Sequence, residues 1–323
     1  MKAARLLAAL ALLAWLGPAV RVSADDHAVP AADALALSAD AQAATKPSPA
    51  EAQAAKAPSP AYDEDLDPIP AEPDFYVITL PTNLRLPKHK LDFRLTHRFA
   101  RGLSEGTFGN LASDFFGFDG GAQIGFGLRF GLFRGNQVEV YRTSDRTIQI
   151  SDRQELLHEG RSPVGLSIVA SVEGLNNFGL SSAPEGATLH EFSPSVALVL
   201  SRRLGTRAAL YLVPSWVGHT RIIPSAPGTE DGTLVLGLGA RLRLTKTMAL
   251  VGEINPRLAG YAGDLGSGDS AAAASFGVEW RVGGHAFQIN FSNDLGTTPA
   301  QVARGQQGTE DWHIGFNLTR KFY

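Results

Sequence analysis

The chain has 323 residues, 44% of them hydrophobic, and a formal net charge of −3 at pH 7. That near-neutral balance, with no basic stripe, leaves no electrostatic footprint for nucleic acid. There is no cysteine, which excludes disulfides, thiolate metal sites, covalent haem attachment and lipid attachment at a cysteine.

Lys2 and Arg5 open the chain, residues 6–16 are an apolar run, and Gly17-Pro18 breaks it. Val22-Ser23-Ala24 then supplies small residues of the A-x-A type. This is the pattern of a signal peptide over residues 1–24, cut after Ala24. The apolar run is too short for a membrane helix, which needs ~20 residues.

Residues 25–72 are rich in Ala and Pro, with an acidic cluster at Asp63, Glu64, Asp65 and Asp67. Prolines 47, 49, 58 and 60 interrupt any helix that the alanines favour. Large apolar side chains are too few to offset the entropy of ordering. The segment reads as a disordered periplasmic tail, either a plain spacer or a contact for a partner.

Residues 73–323 form the remaining domain. Its first part, 75–87, is apolar and extended, punctuated by Pro81 and Pro87. The sequence leaves open a plug in a lumen, a cover at its periplasmic mouth, or an ordinary connector.

Strand-length segments follow at 90–100, 121–133, 136–143, 146–157, 163–174, 190–202, 206–217, 231–244, 248–257, 272–282, 285–293 and 311–323. The clear ones alternate with a period of two. Leu234, Leu236, Leu238, Ala240, Leu242 and Leu244 share one face; Trp312, Ile314, Phe316, Leu318 and Phe322 share another. Very short links at 134–135, 203–205 and 283–284 contrast with long ones at 101–120, 175–189, 218–230, 258–271 and 294–310. The short link at Ser144-Asp145 departs from that contrast. An even number of strands, an aromatic last residue and turns that are short at one end suit an outer-membrane barrel. The predicted fold is all-β: a transmembrane antiparallel up-and-down barrel of about 12 strands. Its apolar faces meet lipid and its polar faces line the interior. Closure is compulsory in lipid, because an open edge leaves backbone groups unpaired at several kcal/mol each. Both mature termini are expected in the periplasm. A soluble β-sandwich would bury the apolar faces between two sheets instead; the leader, the loop alternation and the aromatic end argue against it.

The polar faces carry Asp92, Glu173, Glu253 and Glu279, with Arg94, Arg98, Arg129, Arg241, Arg243 and Arg281. These are the candidate lumen-lining residues. They suit either rings of charge that select a solute or Arg–carboxylate pairs that hold the wall together. Inward glycines at 125, 127, 131, 237 and 239 either leave space or admit bulky neighbours such as Tyr211.

The mature histidines at 27, 89, 97, 158, 190, 219, 285 and 313 form no His-x-His or His-x-x-x-His pair, and the Glu-x-x-His spacings at Glu155–His158 and Glu310–His313 each supply one histidine only. No metal and no cofactor is expected. An outer-membrane phospholipase would need a Ser and a His together on the lipid-facing wall. No His-x-Ser pair occurs and no phosphate loop is present. A Gly-x-Ser-x-Gly string does occur at Gly102 to Gly106, but it lies in a link between predicted strands and lacks the strand-to-helix setting of a nucleophile elbow. His97 reads as a packing or interfacial residue.

Four groups of residues occur together: Leu95-Thr96-His97-Arg98-Phe99; Phe116-Gly117-Phe118-Asp119-Gly120; Gly283-Gly284-His285-Ala286-Phe287-Gln288 leading to Asn293; and Gly315-Phe316-Asn317 with Arg320-Lys321-Phe322. They resemble a family of uncharacterised bacterial outer-membrane β-barrel proteins, a domain of unknown function. The likeness covers about 75–323, and the Gly-Gly-His-x-Phe-Gln string is its most specific part. The resemblance implies the architecture and no chemistry.

The expected function is a narrow passive pore for small polar solutes, and not an enzyme. The alternatives are a non-conducting structural or interaction barrel with a periplasmic partner and, further back, a lipid-modifying enzyme. The expected partners are outer-membrane lipid, a small polar solute, and the barrel-assembly machinery through the C-terminal strand.

Overall fold

A computed structural model describes residues 64–174, 192–220, 232–260, 272–305 and 311–323. The leader, its cleavage site and the tail up to residue 63 lie outside the described residues, as does most of the long connections expected at 175–189, 218–230 and 258–271. Ala61–Tyr323 form one compact unit.

The strands are β1 (Leu91–Phe99), β2 (Ala122–Phe133), β3 (Asn136–Thr143), β4 (Ile148–Leu157), β5 (Gly165–Gly174), β6 (Phe192–Leu204) and β7 (Ala208–Val217). They continue as β8 (Thr233–Arg243), β9 (Met248–Asn255), β10 (Arg257–Gly260), β11 (Ala273–Val282), β12 (His285–Ser292) and β13 (His313–Lys321). Each pairs antiparallel with its neighbours, and β1 pairs with β13, from Asp92 opposite Lys321 to Arg98 opposite Gly315. The predicted strand 248–257 is split at Pro256, which has no N–H to give to the ladder. Its two pieces, β9 and β10, lie end to end along β8. Counted as one, they complete a closed ring of twelve strands, as the periodicity predicts.

The wall is inside out relative to a soluble protein. On β1, Asp92, Arg94, Thr96 and Arg98 are buried, while Leu91, Phe93 and Leu95 lie on the outer side. On β2 and β3, Phe126, Leu128 and Val140 each stand more than half exposed on the outside, whereas Arg129 and Tyr141 are buried within. A two-residue period delivers this directly, because successive side chains leave a strand on opposite faces. The tight turns match their sequences. Gly135 and Gly283 sit at φ 81° and 56°, a conformation that glycine adopts without a Cβ clash.

The interior departs from the expected polar lining. Along β5 to β9 it carries an apolar patch: Val169, Ala197, Val199, Ala209, Tyr211, Val213 and Val251. An apolar inward residue in a water-filled lumen would be unfavourable, so these positions have partners of their own. The partners come from the segment ahead of β1.

Candidate functional site

The segment 71–87 enters the lumen at the end of the barrel that carries the short turns. It rises as a hairpin and returns to β1. Val77 N–H donates to the Leu80 carbonyl (2.8 Å) and Thr82 N–H to that of Phe75 (2.9 Å), so Ile78 and Thr79 form the tip. Of the three readings open for 75–87, the plug is the one realised. The folded unit also takes in residues ahead of it. Asp65 pairs with Arg85 at 3.0 Å, and the Glu72 carboxylate accepts the Asn83 N–H at 2.8 Å.

Two kinds of contact seat the hairpin. Ala71, Val77, Ile78 and Leu80 pack on the apolar patch of the wall. Burying each large apolar side chain is worth about 1.5–3 kcal/mol relative to exposure to water. The other contacts are polar, and most of them go to the main chain of the hairpin. Glu253 on β9 accepts the backbone N–H groups of Ile78, Thr79 and Leu80 at 2.9–3.0 Å, together with the Thr79 hydroxyl. Gln288 donates to the Val77 carbonyl (2.7 Å), Asn317 to that of Ile78 (3.1 Å) and Arg241 to that of Tyr76 (2.9 Å). Arg153 donates to the carbonyls of Thr82 and Leu84. An extended peptide inside a barrel cannot use a sheet ladder, so wall side chains satisfy its backbone groups.

The inward glycines make room for this. A Cβ at Gly237 would lie 2.3 Å from a Leu80 methyl, and one at Gly131 would lie 2.4 Å from the Pro87 carbonyl oxygen. Gly125 instead admits the Tyr141 ring, whose hydroxyl would meet a Cβ at 1.8 Å. Of the two options for these glycines, all three serve bulky or backbone neighbours and leave no open space.

Eight of the ten candidate lumen residues are buried on the inner face. Arg129 bridges Asp92 (2.9 Å) and Glu139 (2.8 Å), and Tyr76 of the hairpin donates to the same Glu139 (2.6 Å). Arg241 pairs with Glu279 at 2.8 Å. Arg94 lies 3.6 Å over the Tyr76 ring, and Arg98 donates to Asn317 at 2.8 Å. Glu173 lies near the opposite end and meets Arg304 at 3.3 Å. Arg243 and Arg281 are only half-buried and donate to carbonyls of the short turns, Thr206, Thr245 and Lys246. They sit at the rim and do not join the buried cluster. Arg153, Glu139, Gln288 and Asn317 belong to the site without having been singled out by sequence. Their one signal is a polar residue at an inward strand position.

A second element closes the lumen from the other end. Within the β12–β13 connection, α1 (Pro299–Arg304) is capped by Thr298 and Gln301. Ala300 and Ala303 pack against Val217 and Val235. Arg304 donates to the Ser193 hydroxyl (2.8 Å) and the Thr220 carbonyl (3.2 Å). Tyr141 donates to Thr297 at 2.9 Å. Between the hairpin tip and α1 remains a cavity of about 70 Å³, bounded by Leu80, Pro81, Val213, Val235, Pro299 and Val302. That is room for a few waters only. At the short-turn mouth a larger cavity of about 390 Å³ lies beside Asp67, Pro73, His285 and Lys321. No group of three or more His, Asp or Glu placed to hold a metal occurs among the described residues.

The lipid-facing wall, the closed ring and the polar interior are matched by one family, described as membrane bound beta barrel domain (DUF5777), over residues 74–322. The chain belongs to this family. No curated protein matches the chain. Among solved structures, the membrane bound beta barrel domain is similar to the KdgM porin, with 8% identity, 72% of this chain and 99% of that chain covered and a TM-score of 0.42. It is similar to the NanC porin with 8% identity, the same coverage and a TM-score of 0.43. It is also similar to the P. putida toluene transporter TodX, with 8% identity, 73% and 90% coverage and a TM-score of 0.35. Likeness at this level carries no argument about what the membrane bound beta barrel domain transports.

Proposed function

We propose that the protein is an outer-membrane barrel, shut at rest, which passes small polar solutes when the 71–87 hairpin shifts. Both mature termini lie in the periplasm on this reading. The observation that carries it is the seating of the hairpin. It fills a lumen lined by ionisable groups, and it is joined to the wall covalently only where 87–90 runs into β1. One carboxylate, Glu253, gathers the amides of its tip, and Asn317 holds the Ile78 carbonyl. Rings of charge around a narrow passage select by sign and size. The lining has both signs, so weak selectivity is expected.

The test is conductance in planar bilayers. The intact protein should be almost silent, and removal of residues 71–87 should produce steady single-channel steps. A deletion variant that migrates as a folded barrel and stays silent would overturn the reading.

One observation favours a second reading, a non-conducting structural or interaction barrel. The helix α1 obstructs the lumen independently of the hairpin. Silence of a variant lacking both obstructions would support it. A lipid-modifying enzyme ranks last. On the outer wall His97 is stacked on Phe316 at 4.8 Å, an arrangement suited to packing. Bilayer lipid and, through β13, the barrel-assembly machinery are the proposed partners.

A further inference from the structure

The β1–β2 connection carries four phenylalanines that stand exposed on the described chain. Phe108 is 76% exposed and Phe115 61%, with Phe116 and Phe118 at 40% and 43%. Residues 108–113 form one helical turn and 115–117 a tighter one.

Two features separate this loop from an ordinary polar tip. The first is backbone conformation. Phe115 and Phe116 have φ of 48° and 58°, successive left-handed positions that aromatic residues rarely adopt. Such outliers persist where their surroundings over-determine them, and they point to function. The second is anchoring. Arg101 pairs with Asp114 at 2.7 Å and donates to the Glu105 carbonyl at 2.9 Å. Leu103 N–H donates to the Trp312 carbonyl (2.8 Å), and Ser104 N–H to the Asp311 carboxylate (2.9 Å). Thr107 and Asn110 cap the helical turn reciprocally. The polar groups hold the loop against β13 and leave the rings outside.

The patch continues into the lipid-facing wall. Phe118 meets Phe99 edge-on at 4.6 Å. Phe99 adjoins His97 at 4.3 Å, and His97 stacks on Phe316 at 4.8 Å. Along the same band Trp312 and Phe276 lie 5.4 Å apart. Aromatic residues favour the level where acyl chains meet headgroups, since one part of the ring is apolar and the other tolerates water. The loop has one arginine against Glu105, Asp114 and Asp119, so attraction to anionic headgroups is not the source of contact.

We propose that the β1–β2 loop is a membrane-seated foot: Phe108, Phe115, Phe116 and Phe118 lie in the acyl-chain boundary of the lipid beside β1 and β13. The occupant is lipid, named by the continuity of the patch with a wall that already faces it.

The absence of cysteine from the chain allows a clean test. Single variants Phe108→Cys and Phe116→Cys of the full mature protein are labelled with an environment-sensitive fluorophore in phosphatidylcholine vesicles. Val140→Cys on the outer wall and Thr206→Cys in the turn at the opposite end serve as references. Nitroxide lipid labelled high on the acyl chain should quench positions 108 and 116 at least half as strongly as position 140, and leave 206 untouched. Position 108, with ordinary backbone, guards against a local distortion at 116. Water-like emission without quenching at both loop positions, with position 140 quenched, would overturn the proposal. A blue-shifted label that nitroxide lipid fails to quench would also overturn it, since protein would then be the cover.

Discussion

Glu253 and Thr79 are 174 positions apart in sequence, yet the carboxylate of one receives both the backbone N–H and the hydroxyl of the other. The neighbouring amides of Ile78 and Leu80 converge on the same group. A hydrogen bond to a charged acceptor contributes about 1.5–3 kcal/mol. Replacing Glu253 by alanine should weaken the seat by about 3 kcal/mol, which moves the closed–open balance about a hundredfold. Bilayer recordings should show frequent openings for Glu253→Ala and fewer for Glu253→Gln, which keeps one acceptor. Equal silence of both variants and the parent would refute this role for Glu253.

The glycine at 237 should be coupled to Leu80. A Cβ there comes within 2.3 Å of a Leu80 methyl. Overpacking of this kind costs about 1–3 kcal/mol. Gly237→Ala should therefore loosen the hairpin, and Leu80→Ala should restore its seating in the double variant. Protease accessibility at Lys88, exposed just ahead of β1, reports the loosening. Additive effects of the two changes would rule out the contact as the cause.

How much of this was legible in the sequence depends on whether a residue's role is local. The strand faces were, because alternation such as Leu234, Leu236 and Leu238 needs no knowledge of partners. The inward placement of Asp92, Arg94 and Arg129 followed from the same rule. The plug was not. Its apolar residues Val77, Ile78 and Leu80 meet Val199, Val213 and Val251, each more than 110 positions away. Read locally, those valines suggest only a greasy strand. The split at Pro256 was locally visible in principle. The helix at 299–304 was hidden by its shortness within a long link.

Arg129 should be the costliest of the charged wall residues to remove. It is 3% exposed and is shared by Asp92 and Glu139. Breaking a buried pair by deleting one partner costs about 3–5 kcal/mol, since a charge is left uncompensated. Arg129→Met strands two carboxylates and should lower the unfolding midpoint in urea markedly. Asp92→Asn leaves the Glu139 bridge intact and should cost less. The reverse order would show that the ion pairs do not hold the wall.

Closure from the α1 end should depend on pH through Asp294, in the connection after β12. Burial pushes its carboxyl up to about 6 from an ordinary 3.8, against the Gly296 N–H and the charges of Arg257 and Arg98, which favour the ionised form. The sign follows from proton binding. The packed loop holds the proton up to about pH 6, whereas a released loop loses it near pH 4. Packing is therefore relatively favoured below both values and weakens as pH rises between them, by about 3 kcal/mol in all. Amide exchange at Ala300 and Ala303, both buried, should be slower relative to the intrinsic rate at pH 5 than at pH 8. Asp294→Asn cannot ionise, so it should stay protected at both values. A pH response of the same size in that variant would assign the titration to another group.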